Sequence, residues 1–233
     1  MPKIAIIPAR GGSKRIPRKN VKDFLGRPIV AYSIEAALES GVFDEVMVST
    51  DDQEIADISM RYGAKVPFFR SPKTSTDMAM TVPVLLEVLE EYRRSEIDFE
   101  YGCCIYPCAP FVASERLKRG MELLISEKVD SVLPVLRFSY PPLRGLTIRN
   151  KKLQMLFPEN YNARSQDLEP IYHDAGQFYC FRTDALVEQK TLFCKNTLPL
   201  ELSEMEAQDI DTMDDWKMAE RKYTMACSSR GKA

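Results

Sequence analysis

The chain has 233 residues, enough for a large core, and carries 32 Lys and Arg against 34 Asp and Glu, a formal net charge of −2. That balance argues against a nucleic-acid or membrane-surface protein, which needs excess positive charge, and no apolar run approaches the roughly 18 residues of a transmembrane helix. Six cysteines without paired C-x-x-C spacing and a single histidine exclude a zinc site or histidine cage on inventory; the thiols are expected to be reduced and mostly buried, in a cytosolic chain whose N-terminus enters a strand directly.

In chain order, "KIAIIP" reads as a strand, and "RPIVAYSIEAALESG" as a helix with Val30, Ile34, Ala37 and Leu38 on one face and Gly41 as its cap. The strand "EVMVST" follows, then the helix "DQEIADISMRYG", with Ile55, Ile58 and Tyr62 on one face, and a short strand "KVPFF". The helix "TVPVLLEVLEEYRRS", the strand "YGCCIYP", the helix "SERLKRGMELLISEK" and the strand "DSVLPVL" repeat the alternation. Between about 137 and 171 it stops, with prolines at 141, 142, 158 and 170 and a hairpin "LTIRNKKLQML" turning at Asn150-Lys151. It resumes with "GQFYCFR" and "TLPLEL". A last helix, "TMDDWKMAERKYTMA", is opened by Thr212 and Asp215 in a capping-box pattern, and the tail "CSSRGKA" is expected to fray. Strands alternating with helices predict an α/β fold: one domain over 1–227, a mostly parallel sheet with helices on both faces, and an inserted element at 137–171. Met121 and Trp216 are most simply core.

Charge concentrates in two places. "IAIIPARGGSKRIPRKN" sets five cations, Arg10, Lys14, Arg15, Arg18 and Lys19, around Gly11-Gly12 just after the first strand. It matches neither G-x-x-x-x-G-K-[ST] nor G-x-G-x-x-G, yet glycines that let backbone N–H groups turn toward a ligand, with cations beside them, suit a polyphosphate. A charge run is ordinarily a solvated face; its position at the carboxyl end of a first parallel strand favours the anion site. The second place is "DID". In extended chain Asp209 and Asp211 share a face, and two hard carboxylates suit Mg²⁺ together with substrate phosphates; acidic residues ahead of a helix also simply complement its dipole. Together the motifs point to a nucleoside triphosphate between a metal and a basic loop. A dinucleotide-binding oxidoreductase is opposed by the missing glycine spacing, and a non-catalytic nucleotide sensor or RNA-binding module by the acid–base balance and the paired aspartates.

"IAIIPARGGSKRIPRKN", "STDD", "RSPKTSTDMAMT", "YPCAPF", "ARSQDLEP" and "QDIDTMDDW" together resemble the cytidylyltransferases that activate nonulosonic acids, the CMP-sialic acid synthetase group, over residues 4 to about 223. "RSQDLEP" and "YHDAGQFY" are similar to one branch of that group. The resemblance implies a Rossmann-like nucleotidyltransferase fold that joins CTP to a sugar acid, making CMP-sugar and pyrophosphate for surface or flagellar glycosylation, with Mg²⁺ as cofactor. It implies Arg10, Gly11, Gly12, Ser13, Lys14, Lys19 and Asn20 around the triphosphate, with Lys14, Arg10 and Lys19 stabilising the leaving pyrophosphate. Arg70 and Thr81 fall where the sialic-acid enzymes hold cytosine, and Asp209 and Asp211 match the metal pair. Tyr106 stands where those enzymes carry Gln near the sugar, and Arg15 where Gly is frequent. The segment 137–171 matches a homodimerisation element completing the partner's sugar site, with Arg144 and Arg164 near the sugar carboxylate and Gln166 and His173 as further sugar contacts. Two of these have plainer readings: Arg164 as an ion-pair partner of Asp167 or Glu169, and His173 as a satisfied hydrogen-bonding residue. The general base is left open between a metal-bound water and either aspartate.

Overall fold

Strand β1 (Lys3–Pro8) is buried along its middle, as expected of an unbroken apolar run at the centre of a sheet. The computed structural model describes residues 1–76 and 78–230. After β1 come a two-residue hairpin, β2 (Asp23–Phe24) and β3 (Arg27–Pro28), then α1 (Ile29–Ser40), β4 (Glu45–Ser49), α2 (Gln53–Arg61), α3 (Thr81–Arg94), β5 (Tyr101–Ile105), α4 (Ser114–Ser126) and β6 (Ser131–Arg137). The hairpin β7 (Leu146–Arg149) and β8 (Lys152–Met155) stands off the sheet. Then follow β9 (Tyr172–Asp174), β10 (Phe178–Arg182), α5 (Thr183–Gln189), β11 (Thr197–Leu202) and α6 (Met213–Arg230).

The seven-stranded sheet has the order β11-β6-β10-β5-β1-β4, with β9 beside β6. Strands β1, β4, β5, β6 and β11 run the same way; β10 and β9 oppose them. Alternating side chains feed two cores. Ala5, Ile7, Val46, Val48, Cys103 and Ile105 meet Val30, Ile34 and Ala37 of α1, Ile55 and Ile58 of α2, and Leu117, Met121 and Leu124 of α4. On the other face Ile4, Ile6, Met47 and Cys104 meet Leu85, Val88, Leu89 and Tyr92 of α3 and Leu186 of α5. A third cluster joins Ile16, Phe24, Ile29, Tyr32, Ile210, Trp216 and Ala219.

The expected α/β layering, the hairpin turning at Asn150-Lys151 with both residues at positive φ, and the core roles of Met121 and Trp216 all appear. Several expectations are corrected. "KVPFF" is no strand but one bridge, Lys65 to Met47; Pro67 lacks the N–H a ladder needs. Leu38 is 43% exposed, because α1 buries Tyr32, Ser33, Ala36 and Ser40 and so turns Leu38 outward. Helix α6 runs to Arg230 rather than fraying from Cys227; residues 231–233 of that tail lie outside the described residues. The cysteines are all free, with Cys103, Cys104, Cys180 and Cys194 buried, Cys108 half-buried and Cys227 exposed.

Candidate active site

A cleft of about 580 Å³ opens where β1 and β5 end and is lined by Arg10, Ser13, Lys14, Lys19, Asn20, Arg70, Thr81, Tyr106, Asp209 and Asp211, with Arg15 and Gly176 among its other walls. The site thus sits beyond the carboxyl ends of the strands. There β1 is flanked by β4 on one side and β5 on the other, the kind of switch point at which open α/β sheets bind ligands.

Buried apolar residues hold both charged motifs. Ile16, in the middle of the basic loop, and Ile210, between the two aspartates, are fully buried in the cluster around Trp216. With Ile210 pointing in, its neighbours Asp209 and Asp211 point out along the cleft, as alternation in extended chain requires. Lys19 Nζ donates to the Ile210 carbonyl, binding the motifs directly. The acidic segment is further fixed by Gln177 Nε2 on the Glu206 carbonyl at 2.5 Å, and by Lys222 Nζ on that of Ala207 at 2.6 Å. Asp215 accepts from the backbone of Asp211 and Thr212 at 3.1 and 2.7 Å, while Thr212 Oγ1 accepts from Asp215 N. This is the expected capping box, which fixes the start of α6.

The five cations of the loop separate by task. Arg10, Lys14, Arg15 and Lys19 line the cleft. Arg18 turns away and forks onto Asp52 at 2.5 and 2.9 Å, also reaching Glu54. Asp52 caps α2 by accepting from Ile55 N at 3.0 Å, and its hydrogen bonds from Arg18 hold its carboxyl below the usual range. Gly11 N donates to Asp51 at 2.9 Å, and a Cβ at Gly11 would lie 2.7 Å from Asp52 Oδ2. Close approach therefore explains this glycine. Arg15 pairs with Asp211 at 2.6 Å, joining the basic loop to the acidic pair.

Arg70 is buried beneath the cleft wall and donates to Ser49 Oγ and the Ser49 carbonyl at 3.1 and 2.5 Å; burial lowers its pKa. Glu87 of α3 fastens the loop that follows, accepting from Ser71 N and Oγ at 2.7 Å and from Thr74 at 2.6 Å. Asn20 donates to the Arg10 carbonyl at 2.8 Å and accepts from the Cys108 thiol at 3.1 Å. Burial pushes that thiol up to about 12, which makes it a packing group rather than a nucleophile.

Gly11 and Gly12 shape the loop without lining the cleft, and Arg144, Arg164, Gln166 and His173 lie outside it. Arg164 makes a bidentate pair with Asp167 at 2.7 and 3.1 Å, the plainer of its two readings within one chain. Arg144 reaches Ser165 at 3.5 Å, and Gln166 lines a separate hollow with Arg137 and Glu204. His173 Nδ1 lies 2.9 Å from the Asp174 carbonyl, its ring tilted against Phe138 at 4.7 Å.

Two carboxylates beside a phosphate-sized basic loop fit Mg²⁺, a hard cation that takes one or two protein carboxylates and fills its shell with substrate phosphates and water. Among the described residues no group of three or more His, Cys, Asp or Glu could hold a metal by itself.

Sequence reading missed Asp52 and Glu87 as anchors, and Asp174 and Tyr179 behind the cleft. The capping position of Asp52 before α2 is a legible signal; Glu87 pairs with residues 13 and 16 positions away, and Asp174 meets Tyr179 across a turn and into the next strand.

Comparison with known proteins agrees with this geometry. The family model described as cytidylyltransferase matches residues 4–212. A pseudaminic acid cytidylyltransferase of Campylobacter jejuni is 40% identical, the match covering 96% of this chain and 97% of that protein; it is of the branch to which "RSQDLEP" and "YHDAGQFY" are similar. A CMP-N,N'-diacetyllegionaminic acid synthase of Legionella pneumophila is 34% identical over 94% of both chains. Among solved structures, a CMP:2-keto-3-deoxy-manno-octonic acid synthetase complexed with CTP superposes with a TM-score of 0.71 at 17% identity, covering 98% of this chain and 100% of that one, a likeness of fold. With the match spanning the basic loop, the acidic pair and every strand of the sheet, this chain belongs to the cytidylyltransferase family.

Proposed function

We propose that this protein transfers the cytidylyl group of CTP to pseudaminic acid, giving CMP-pseudaminic acid and pyrophosphate. The carrying observation is the 40% identity to the Campylobacter enzyme over nearly the whole of both chains; the cleft supplies the chemistry. Arg10, Lys14 and Lys19 line the side that would take the triphosphate, and their fixed charges oppose the charge that grows on pyrophosphate as it leaves. The anomeric hydroxyl attacks the α-phosphorus in line, forming the new P–O bond as the bond to pyrophosphate breaks. Mg²⁺ held by Asp209 and Asp211 would offset charge on the phosphoryl oxygens. Arg15, displaced from Asp211 as substrate enters, is free to join the phosphate side. We assign this CTP-dependent reaction to the cytosol. Among the described residues no helix is long and apolar enough to cross a membrane.

The segment 137–171 exposes Tyr140, Ile148, Leu153 and Tyr161, and apolar side chains at such density call for a covering surface. We assign it to a two-fold dimer, the same segment of a second chain being the partner, with Arg144 or Arg164 reaching the sugar carboxylate in the neighbouring cleft. The testing experiment is pyrophosphate release from CTP and Mg²⁺ with a panel of nonulosonic acids. Pseudaminic acid is expected to give the highest kcat/KM; a higher value with legionaminic or N-acetylneuraminic acid reassigns the sugar, and release with none refutes the reading.

A further inference from the structure

The acidic pair ends a strap, residues 203–211, that leaves β11 and runs to the start of α6 with no regular structure beyond a single 3-10 turn at Glu204–Glu206. Backbone groups in such a stretch need partners from elsewhere, and they find them just ahead of Asp209. The Glu206 carboxylate accepts from Arg116 of α4 at 2.7 and 2.6 Å, and from Ser203 N and Oγ at 3.0 and 2.8 Å. The Glu206 carbonyl accepts from Gln177 Nε2 at 2.5 Å, and the next carbonyl, that of Ala207, from Lys222 Nζ of α6 at 2.6 Å.

Gln177 differs from the other two anchors in what it is tied to. Among the described residues, α4 and α6 contribute nothing to the cleft, so Arg116 and Lys222 fasten the strap to the body of the fold. Gln177, just before β10, is 2% exposed, and its own carbonyl accepts from Tyr106 N at 2.8 Å. Tyr106 lines the cleft, as do Gly176 beside Gln177 and the two aspartates at the end of the strap. One buried residue therefore joins two parts of the cleft lining, the wall at Tyr106 through its backbone and the acidic strap through its side chain. The orientation of its amide is fixed, since a carbonyl only accepts and the nitrogen must face it. We propose that Gln177 is a positioning residue that sets where Asp209 and Asp211 stand relative to the Tyr106 wall, and so how well a divalent cation on the pair meets phosphates held by the basic loop. Mg²⁺ demands near-ideal octahedral geometry, and loss of a residue that holds metal ligands in place typically costs about 10- to 100-fold in affinity.

This inference rests on the metal assignment within the proposed transferase reading. Gln177→Met keeps the buried volume and removes the donor, leaving the Glu206 carbonyl unpaired. Gln177→Asn keeps the amide but shortens its reach by a methylene, and decides the matter if the Met variant does not fold. CTP binding is measured by isothermal titration with Mg²⁺ and again in EDTA, with no sugar acid present and hence no turnover. Each variant is expected to raise the Kd of CTP with Mg²⁺ about tenfold and to leave the Kd in EDTA unchanged, because the basic loop keeps its own anchors at Ile16 and Asn20. A merely structural role would weaken both together. Parallel rises in the two Kd values, or no change in either, overturn the proposal. Wild-type protein that binds CTP no more tightly with Mg²⁺ than in EDTA would refute the metal assignment separately. The proposal is then decided by Trp216, the single tryptophan, 2% exposed in the buried cluster that also holds Ile210 of the strap. Its quenching by acrylamide must rise in Gln177→Met, and an unmoved quenching constant, the sign of a strap seated as before, overturns it.

Discussion

The basic loop, residues 10–20, and the off-sheet segment 137–171 are both polar–apolar mixtures outside the main strands, yet they are finished in opposite ways. In the loop, Ile16 is fully buried, and Arg18, Lys19 and Asn20 each have a partner within the chain. In the off-sheet segment the polar groups pair locally, as Arg164 does with Asp167, while Tyr140, Ile148 and Leu153 remain 86%, 73% and 68% exposed. On the proposed reading, one region is complete within the chain and takes a small anion, and the other, with its exposed apolar surface, takes a second chain. The contrast teaches that charge density marks a site only where buried apolar residues fix it, and that exposed apolar density marks a different kind of site.

The largest expected effect lies in the complete region. Lys14→Ala should lower kcat about 10²- to 10³-fold, the usual loss when one preorganised charge or donor facing a developing anion is removed, while the sugar KM stays nearly constant. Asp211→Ala should abolish the dependence of turnover on added Mg²⁺ with the fold intact by circular dichroism. Full activity in that variant would remove Asp211 from the metal site.

The incomplete region is broken next. Ile148→Asp with Leu153→Asp places two charges on the hairpin β7–β8. The expected result in light scattering is a monomer with unchanged helix content, and turnover at least about tenfold down if the partner's arginine is needed for the sugar. Mixing Asp211→Ala chains with Arg164→Ala chains should restore part of the activity, since a mixed dimer carries one site with both residues intact. Proven subunit exchange without recovery would confine each site to one chain.

The same contrast explains what could be read in the sequence. The basic loop, "DID" and the strand–helix alternation were legible because each is a local pattern: cations beside glycines, two carboxylates two apart, apolar runs of strand length. Leu38 was placed inward by helical spacing alone, but the tight packing of Tyr32, Ser33 and Ala36 set the actual face of α1. The opposed direction of β10 was hidden, since "GQFYCFR" presents the same side chains whichever way it runs. Arg18 could not be separated from its cationic neighbours because its partner, Asp52, is 34 residues away. In "YHDAGQFY" the sequence singles out His173, whereas the structure joins its neighbour Asp174 to Tyr179 and sets His173 Nδ1 against the Asp174 carbonyl.

Within the complete region, Gly11→Ala tests how tightly the loop is seated. The new Cβ would meet Asp52 Oδ2 at 2.7 Å and Asp52 Cβ at 3.1 Å. Asp52 cannot step aside without releasing both the α2 cap and Arg18. Overpacking of this kind costs about 1–3 kcal/mol, and thermal unfolding should fall by about 2–4 °C per kcal/mol in a chain of this size. An unchanged melting temperature would show that the loop adapts and that Gly11 serves only the ligand.

The smallest effect expected is at Arg18, where the ion pair alone can be weighed. Hydrogen bonds from Arg18 depress the folded-state pKa of Asp52, with burial opposing them. A depressed carboxylate pKa adds stability above its unfolded value of about 3.9 and loses that contribution as pH falls through the folded value. Arg18→Ala should therefore be less stable than wild type at pH 7, and the gap should close below about pH 4 as Asp52 protonates in both. The Arg18 side chain is 40% exposed, so the gap is that of a surface pair, about 1 kcal/mol or less, and should shrink in high salt. Arg18 also sits at φ 55°, a left-handed conformation that costs a non-glycine residue. Arg18→Gly separates the two contributions: it loses the same ion pair but relieves the backbone, and should fall between Arg18→Ala and wild type at pH 7. A gap that persists unchanged at pH 2 would assign the contribution of Arg18 to packing of its methylene stem against α2 rather than to the charge it shares with Asp52.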